Sequence, residues 1–161
     1  CWSWISREII DEFAKVVNDE NLTPEQIHNA DEPSLCWHYC PRKTLTTVDE
    51  TEPMGIKAAK DRITVLGCAN AAGTHKCKLA VIGKSLCPCC FQGVNFLPVH
   101  YYANRKTWIT RDIFSDWFHK YFVPAACVHC SEMELDDDCK ILLFLDNCSA
   151  HSPGKIFIKN N

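Results

Sequence analysis

The sequence predicts an α/β fold, a mixed sheet flanked by helices, on three observations. Several short segments read as strands, the stretch from Thr110 to Phe122 carries a clear helical stripe, and the apolar run Ile141 to Leu145 follows it. A continuous run of that length suits a strand buried on both faces. Strands, one long helix and then a buried strand fit a mixed sheet better than a helical bundle or a sandwich.

The elements follow in order. Ser6 can cap a helix whose Ile9, Ile10, Phe13, Val16 and Val17 share one face, which is expected to pack on the sheet. Thr23-Pro24-Glu25-Gln26 has the spacing of a capping box with proline at the first helical position, and it predicts one short turn. That turn delivers the chain into a first strand, Ile27 to Asp31, and Leu35 to Tyr39 is read as a second. Arg42 to Ala59 is polar, contains Pro53 and Gly55, and sustains no period, so a loop is expected.

Ile63, Val65, Gly67 and Ala69 then alternate with Thr64, Leu66 and Cys68, and the pattern resumes at Cys77, Leu79 and Val81 after Ala71-Ala72-Gly73-Thr74. This predicts a β-hairpin. A turn-rich segment from Gly83 to Gly93 leads to a strand around Val99 to Ala103. Thr110 caps the long helix, whose stripe is Ile113, Phe114, Trp117, Phe118, Tyr121 and Phe122, and Pro124 is expected to end it.

At 161 residues, with 47% hydrophobic and 23% charged residues, one compact domain with an adequate core is expected. There is no secretory signal and no apolar run long enough to cross a bilayer, so no membrane partner is expected. The formal net charge of −3 gives no bulk attraction to nucleic acid, and any contact with DNA must come from local patches. The 12 cysteines lack a compact secreted framework and read as reduced thiols. A start at Cys1 and a stop at Asn161 suggest part of a longer protein.

Two acidic signatures, Asn29-Ala30-Asp31-Glu32 and Leu143-Phe144-Leu145-Asp146-Asn147, each place an aspartate directly after a strand candidate. Only a folded sheet can bring them together, and there they could share hard cations such as Mg²⁺. Lone strand-end aspartates more often cap turns.

These signatures, with KDRITVLGCANAAGTHKCKLAVIGKS from Lys60 and NFLPVHYYANRKTWITRDIFSDWFHKYFVPAA from Asn95, resemble the DDE superfamily of transposase-derived endonucleases, in its pogo/Tigger and jerky-like branch. The resemblance runs from about Phe13 to His151. It implies a single partial catalytic-core domain over residues 1–161, with residues 1–26 as a helical lead-in and 27–151 as the matching core. The implied fold is an RNase H-like mixed sheet, truncated at its C-terminal side. The implied chemistry is Mg²⁺- or Mn²⁺-dependent DNA cleavage and strand transfer, in the nucleus, with room for a homo-oligomer and no small-molecule substrate.

Asp31 and Asp146 match the first two aspartates of the family triad and would be both catalytic and metal-binding residues. Asn147 and His151 match neighbouring family positions, where they could orient a carboxylate or a bound water. In the family the third acid lies a few tens of residues further on, and the residues after Asp146 contain none. Glu32 would point to the opposite strand face from Asp31. Pro33 replaces a threonine of many relatives and removes a backbone donor. This chain alone is therefore expected not to cleave DNA, and a domesticated domain that binds DNA or protein without catalysis is the alternative.

For DNA, Arg62, Lys76, Lys78, Lys84, Arg105 and Lys106 are the candidate phosphate contacts, with Lys76 and Lys78 expected on one strand face. No aromatic interleaving suggests a base-reading code. The family's upstream helix-turn-helix region is not found here. A zinc-stabilised interaction module is the rival metal reading, because Cys87/Cys90 and Cys127/Cys130 are two C-x₂-C pairs. Their spacer exceeds the roughly 15–20 residues usual for zinc ribbons, so zinc is the less favoured reading. The run Asp136-Asp137-Asp138 reads as a solvated loop.

Overall fold

The computed structural model describes residues 7–36, 61–135, 139–146 and 156–159. Ser6, the 42–59 loop, the end of the proposed second strand, the 136–138 acidic run, Asn147 and His151 lie outside the described residues. The chain divides into two compact units, residues 1–31, 67–78 and 110–161 in the first and 32–66 and 79–109 in the second.

In the first unit, β1 (Ile27–Asp31) lies between β3 (Arg62–Asn70) and β6 (Lys140–Phe144), with β7 (Ile156–Lys159) beyond β6. β1 runs antiparallel to β3 and parallel to β6, while β7 runs antiparallel to β6. The sheet is mixed, as the apolar pattern predicts. His28 and Ala30 point to the face that carries Phe122, whereas Ile27, Asn29 and Phe144 line a cavity of about 330 Å³ with Ile9, Ile10 and Phe13 of α1 (Arg7–Asp19). Phe13 meets Phe144 edge to face at 5.7 Å, which is how the apolar stripe of α1 engages the sheet.

On the other face the long helix does not end at Pro124. α2 (Arg111–Trp117) passes through one π turn, Phe118–Phe122, into α3 (Val123–Glu132). Proline in a helix interior removes one backbone bond and clashes with the preceding turn. The wide π turn immediately before it changes the hydrogen-bonding pattern, so Pro124 falls in the first turn of α3, where no N–H is required. Thr110 caps the start, its hydroxyl accepting from the Ile113 N–H at 3.3 Å. Trp117 and Phe122 are almost completely buried, each contributing on the order of 3 kcal/mol of hydrophobic stabilisation.

The second unit is built on the N-terminal half of β3, which pairs antiparallel with β2 (Ser34–Cys36) and β4 (Ala80–Gly83). β5 (His100–Ala103) joins β4 in parallel. The hairpin turn over Ala71 to Thr74 forms as expected, with Gly73 at a positive φ of 78°. Beyond it only the Ala69–Lys76 bridge continues the ladder, and β4 starts at Ala80 rather than at Cys77. A short 3₁₀ turn, Cys89–Phe91, occupies the turn-rich segment.

Candidate active site and nucleic-acid surface

The geometry at Asp31 begins with the turn before β1. The Gln26 side chain accepts from the Thr23 N–H at 3.0 Å and donates to the Lys140 carbonyl at 2.9 Å. The Gln26 carbonyl accepts from the Leu142 N–H at 3.0 Å. These bonds fix β1 against β6 in a register that pairs Ile27 with Leu142, His28 with Leu143 and Asn29 with Phe144. A slip of one residue would turn every side chain of β1 to the other face.

The paired register ends at Asn29 and Phe144; β1 runs on to Asp31, and Asp146 lies two residues beyond the end of β6. Neighbouring strands are about 4.8 Å apart, and side chains at one level of a parallel pair leave the same face. Both aspartates are exposed. Two carboxylates held on neighbouring strands would suit hard divalent cations, and paired ions in phosphoryl-transfer sites sit roughly 4 Å apart. Among the described residues no group of three or more His, Cys, Asp and Glu side chains forms a metal-holding cluster. Glu32, adjacent to Asp31, is half-buried.

Behind the opposite face of β1 lies a polar cluster that the sequence did not announce. His28 Nε2 and His75 Nδ1 are 2.9 Å apart, and His75 stacks on His129 with ring centres 4.6 Å apart. His129 Nε2 donates to Glu25 Oε2 at 2.9 Å, and the same oxygen accepts from Asn70 at 2.7 Å and from Thr74. Burial, reinforced by His75, holds His28 down at about 4, so it is neutral, and burial also lowers His75. Thr74 and then His129 keep Glu25 below its ordinary value. The residues come from a turn, two strands, a hairpin and a helix, with no common spacing, so no motif reveals them.

The six proposed phosphate contacts divide between the units. Lys76 and Lys78 are exposed in the first, and only Lys76 takes part in a bridge, so they do not share the face of a regular strand. Arg62, Lys84, Arg105 and Lys106 line one concavity of about 570 Å³ in the second, together with Asp61, Thr107 and Trp108. The Arg62 guanidinium sits 4.1 Å from the Trp108 ring centre. An aromatic residue does stand among the basic ones in space, and the W that follows them in NRKTWIT is the signal that could have shown it.

The proposed zinc pairs also fall in different units, Cys87 and Cys90 in the second, Cys127 and Cys130 in the first. The nine described cysteines are free thiols. Burial pushes Cys130 up to about 12, and its thiol is engaged with Cys139. That environment favours a neutral thiol over a metal-binding thiolate.

Comparison with known proteins joins these observations. A family model described as "DDE superfamily endonuclease" matches residues 60–161. The chain belongs to the DDE superfamily. The Jerky protein of Mus musculus is 40% identical over 149 residues, covering 92% of this chain and 26% of the relative. Tigger transposable element-derived protein 7 of Homo sapiens is 35% identical over 144 residues, with 86% and 26% covered. CENP-B homolog protein 2 of Schizosaccharomyces pombe is 30% identical over 142 residues, with 86% and 25% covered. This DDE chain thus spans about a quarter of the length of the curated relatives it matches. No solved structure matches it. Among the described residues no helix is long and apolar enough to cross a membrane.

Proposed function

We propose that this chain is the part of a transposase-derived, nuclear DDE domain that supplies the first two metal-binding carboxylates, Asp31 and Asp146, and associates with DNA. The observation that supports the reading is the parallel β1–β6 pairing, whose register, if carried two residues past Asn29 and Phe144, would set the two aspartates level on one face of the sheet. Mg²⁺ or Mn²⁺ held there would polarise a phosphodiester and activate an attacking oxygen. The chain's own part is positional. Gln26 ties β1 to β6, buried Ile141, Leu142 and Leu143 anchor β6, and Asp31 and Asp146 would present the oxygen donors. Asn147 and His151 would orient a carboxylate or a water beside Asp146.

Two carboxylates recruit a cation but do not fix a second ion for in-line displacement, and a displacement of about 1 Å costs roughly 10²-fold in rate. This chain by itself is therefore expected to bind divalent metal weakly and not to cut DNA. A second reading, a domesticated domain that binds DNA or protein without catalysis, is favoured by Pro33, which removes a backbone donor beside Asp31.

Electron paramagnetic resonance of Mn²⁺ tests the site by counting the free ion. The wild-type chain should bind Mn²⁺ at high micromolar to millimolar levels, and Asp31→Asn and Asp146→Asn should each weaken binding at least about tenfold. Equal binding by all three proteins would overturn the metal assignment. Cleavage of DNA by the wild type, abolished by both variants, would show that another carboxylate completes the site.

A further inference from the structure

From the second unit's basic concavity we infer that it is a binding site for one nucleotide of single-stranded DNA, with the phosphate on Lys84, Arg105 and Lys106 and the base stacked on Trp108. The inference rests on the DNA association proposed above and names where and in what form DNA is held.

Charge is the first observation. The whole chain carries a formal charge of −3, yet among the described residues four cations converge here against a single carboxylate, Asp61. Asp61 offsets them little, because its oxygen is 4.0 Å from Lys84 Nζ and both side chains are largely exposed. An anion is the ligand such a patch selects.

The second observation is the aromatic residue. Trp108 is 55% exposed although the Arg62 guanidinium lies over its ring, and an exposed tryptophan costs hydrophobic free energy unless something covers it. A base offers a flat π face, whereas a simple anion does not. In a duplex that face is stacked against its neighbours, so a tryptophan inside a concavity reaches it only on an unpaired strand.

The third is rigidity. Thr107 has φ 56°, a left-handed conformation that is costly for a β-branched residue, at about 1–3 kcal/mol. It is held there from several sides. The Thr107 N–H donates to the Asn104 carbonyl at 2.7 Å, its carbonyl accepts from the Thr64 hydroxyl at 2.6 Å, and its hydroxyl accepts from Arg62 Nε at 3.3 Å. Asn104 also donates to the Trp108 carbonyl at 2.7 Å and accepts from the Lys106 N–H at 3.2 Å. The strained residue thus sits between two proposed phosphate contacts and the stacking ring, and pre-organisation of that kind lowers the entropy lost on binding.

Fluorescence anisotropy on this chain tests the site, with a labelled 12-mer oligothymidylate and a hairpin duplex of equal charge. The oligothymidylate should bind more tightly than the duplex. Trp108→Ala should weaken it about tenfold, a loss within the range for one stacked base, while Trp108→Phe keeps most of the affinity. Arg105→Ala with Lys106→Ala should flatten the salt dependence. If Trp108→Ala binds the oligothymidylate as the wild type does, or weakens the duplex equally, the stacking site is overturned while the DNA reading stands. Failure to bind either probe would overturn both. A melting temperature for each variant separates loss of the site from loss of the fold.

Discussion

Asn29 pairs with Phe144 across the parallel strands β1 and β6, two residues before Asp31 at the end of β1 and two before Asp146, which follows β6. The register is held at its other end by Gln26, which bonds through its side chain to Lys140 and through its carbonyl to Leu142. One glutamine thus ties the start of β1 to the start of β6.

Gln26→Leu tests that dependence. The substitution leaves the Lys140 carbonyl and the Thr23 N–H without their partner, at a cost of about 1–3 kcal/mol. It should also weaken Mn²⁺ binding, although residue 26 is remote from the strand tips. Urea unfolding with parallel Mn²⁺ titration checks both, and unchanged metal affinity in a destabilised protein would uncouple the register from the site.

The histidine cluster should make the fold acid-sensitive. The unfolded chain protonates His28 near 6.5, but the folded chain refuses that proton until about pH 4. Stability from neutral His28 is complete above pH 6.5 and is lost as the pH falls towards 4. His75, facing His129, Glu25 and Glu132, is shifted in the same direction, and Glu25 gives up its contribution as the pH falls through its folded value. Urea unfolding should show about 2–3 kcal/mol less stability at pH 4.5 than at pH 7 from His28. His28→Leu should flatten that slope, and an unchanged slope would contradict the assignment.

Gly83 offers a packing test in the second unit. A Cβ there would meet Tyr101 Oη at 2.1 Å and its ring at 2.8 Å, and that hydroxyl donates to the Ser85 carbonyl at 2.7 Å. Gly83→Ala should cost about 1–3 kcal/mol by forcing the ring aside. In combination with Tyr101→Ala the two costs should fall short of their sum, because the clash partner is gone. Strict additivity in thermal unfolding would show that Tyr101 is not the obstacle.

Much of the fold was legible because the strands that matter are short and strongly patterned. Ile27–Asp31 is the observed β1, and the Ile141 to Leu145 run holds β6, because burial on both faces leaves a nearly unbroken apolar string. Pro124 misled because propensity treats an interior proline as a stop, whereas a π turn is a local backbone adjustment with no residue signature. The His28, His75, His129 and Glu25 cluster was invisible for another reason. Its contacts depend on β1 meeting a hairpin and a helix, and long-range pairing leaves no trace in local spacing. Trp108 was overlooked because it follows the basic residues instead of alternating with them, and only the turn at Thr107 brings its ring over Arg62.

The most direct test of the central claim is iron-mediated cleavage of the polypeptide itself. Fe²⁺ bound in place of Mg²⁺ generates hydroxyl radicals with ascorbate and peroxide and cuts backbone only within a few ångströms of the ion. Mass spectrometry of the fragments should place cuts near residue 31 and near residue 146 together, both suppressed by Mg²⁺ and both lost in Asp31→Asn. Cuts at only one of the two sites, or cuts that persist in that variant, would contradict a metal site shared between Asp31 and Asp146.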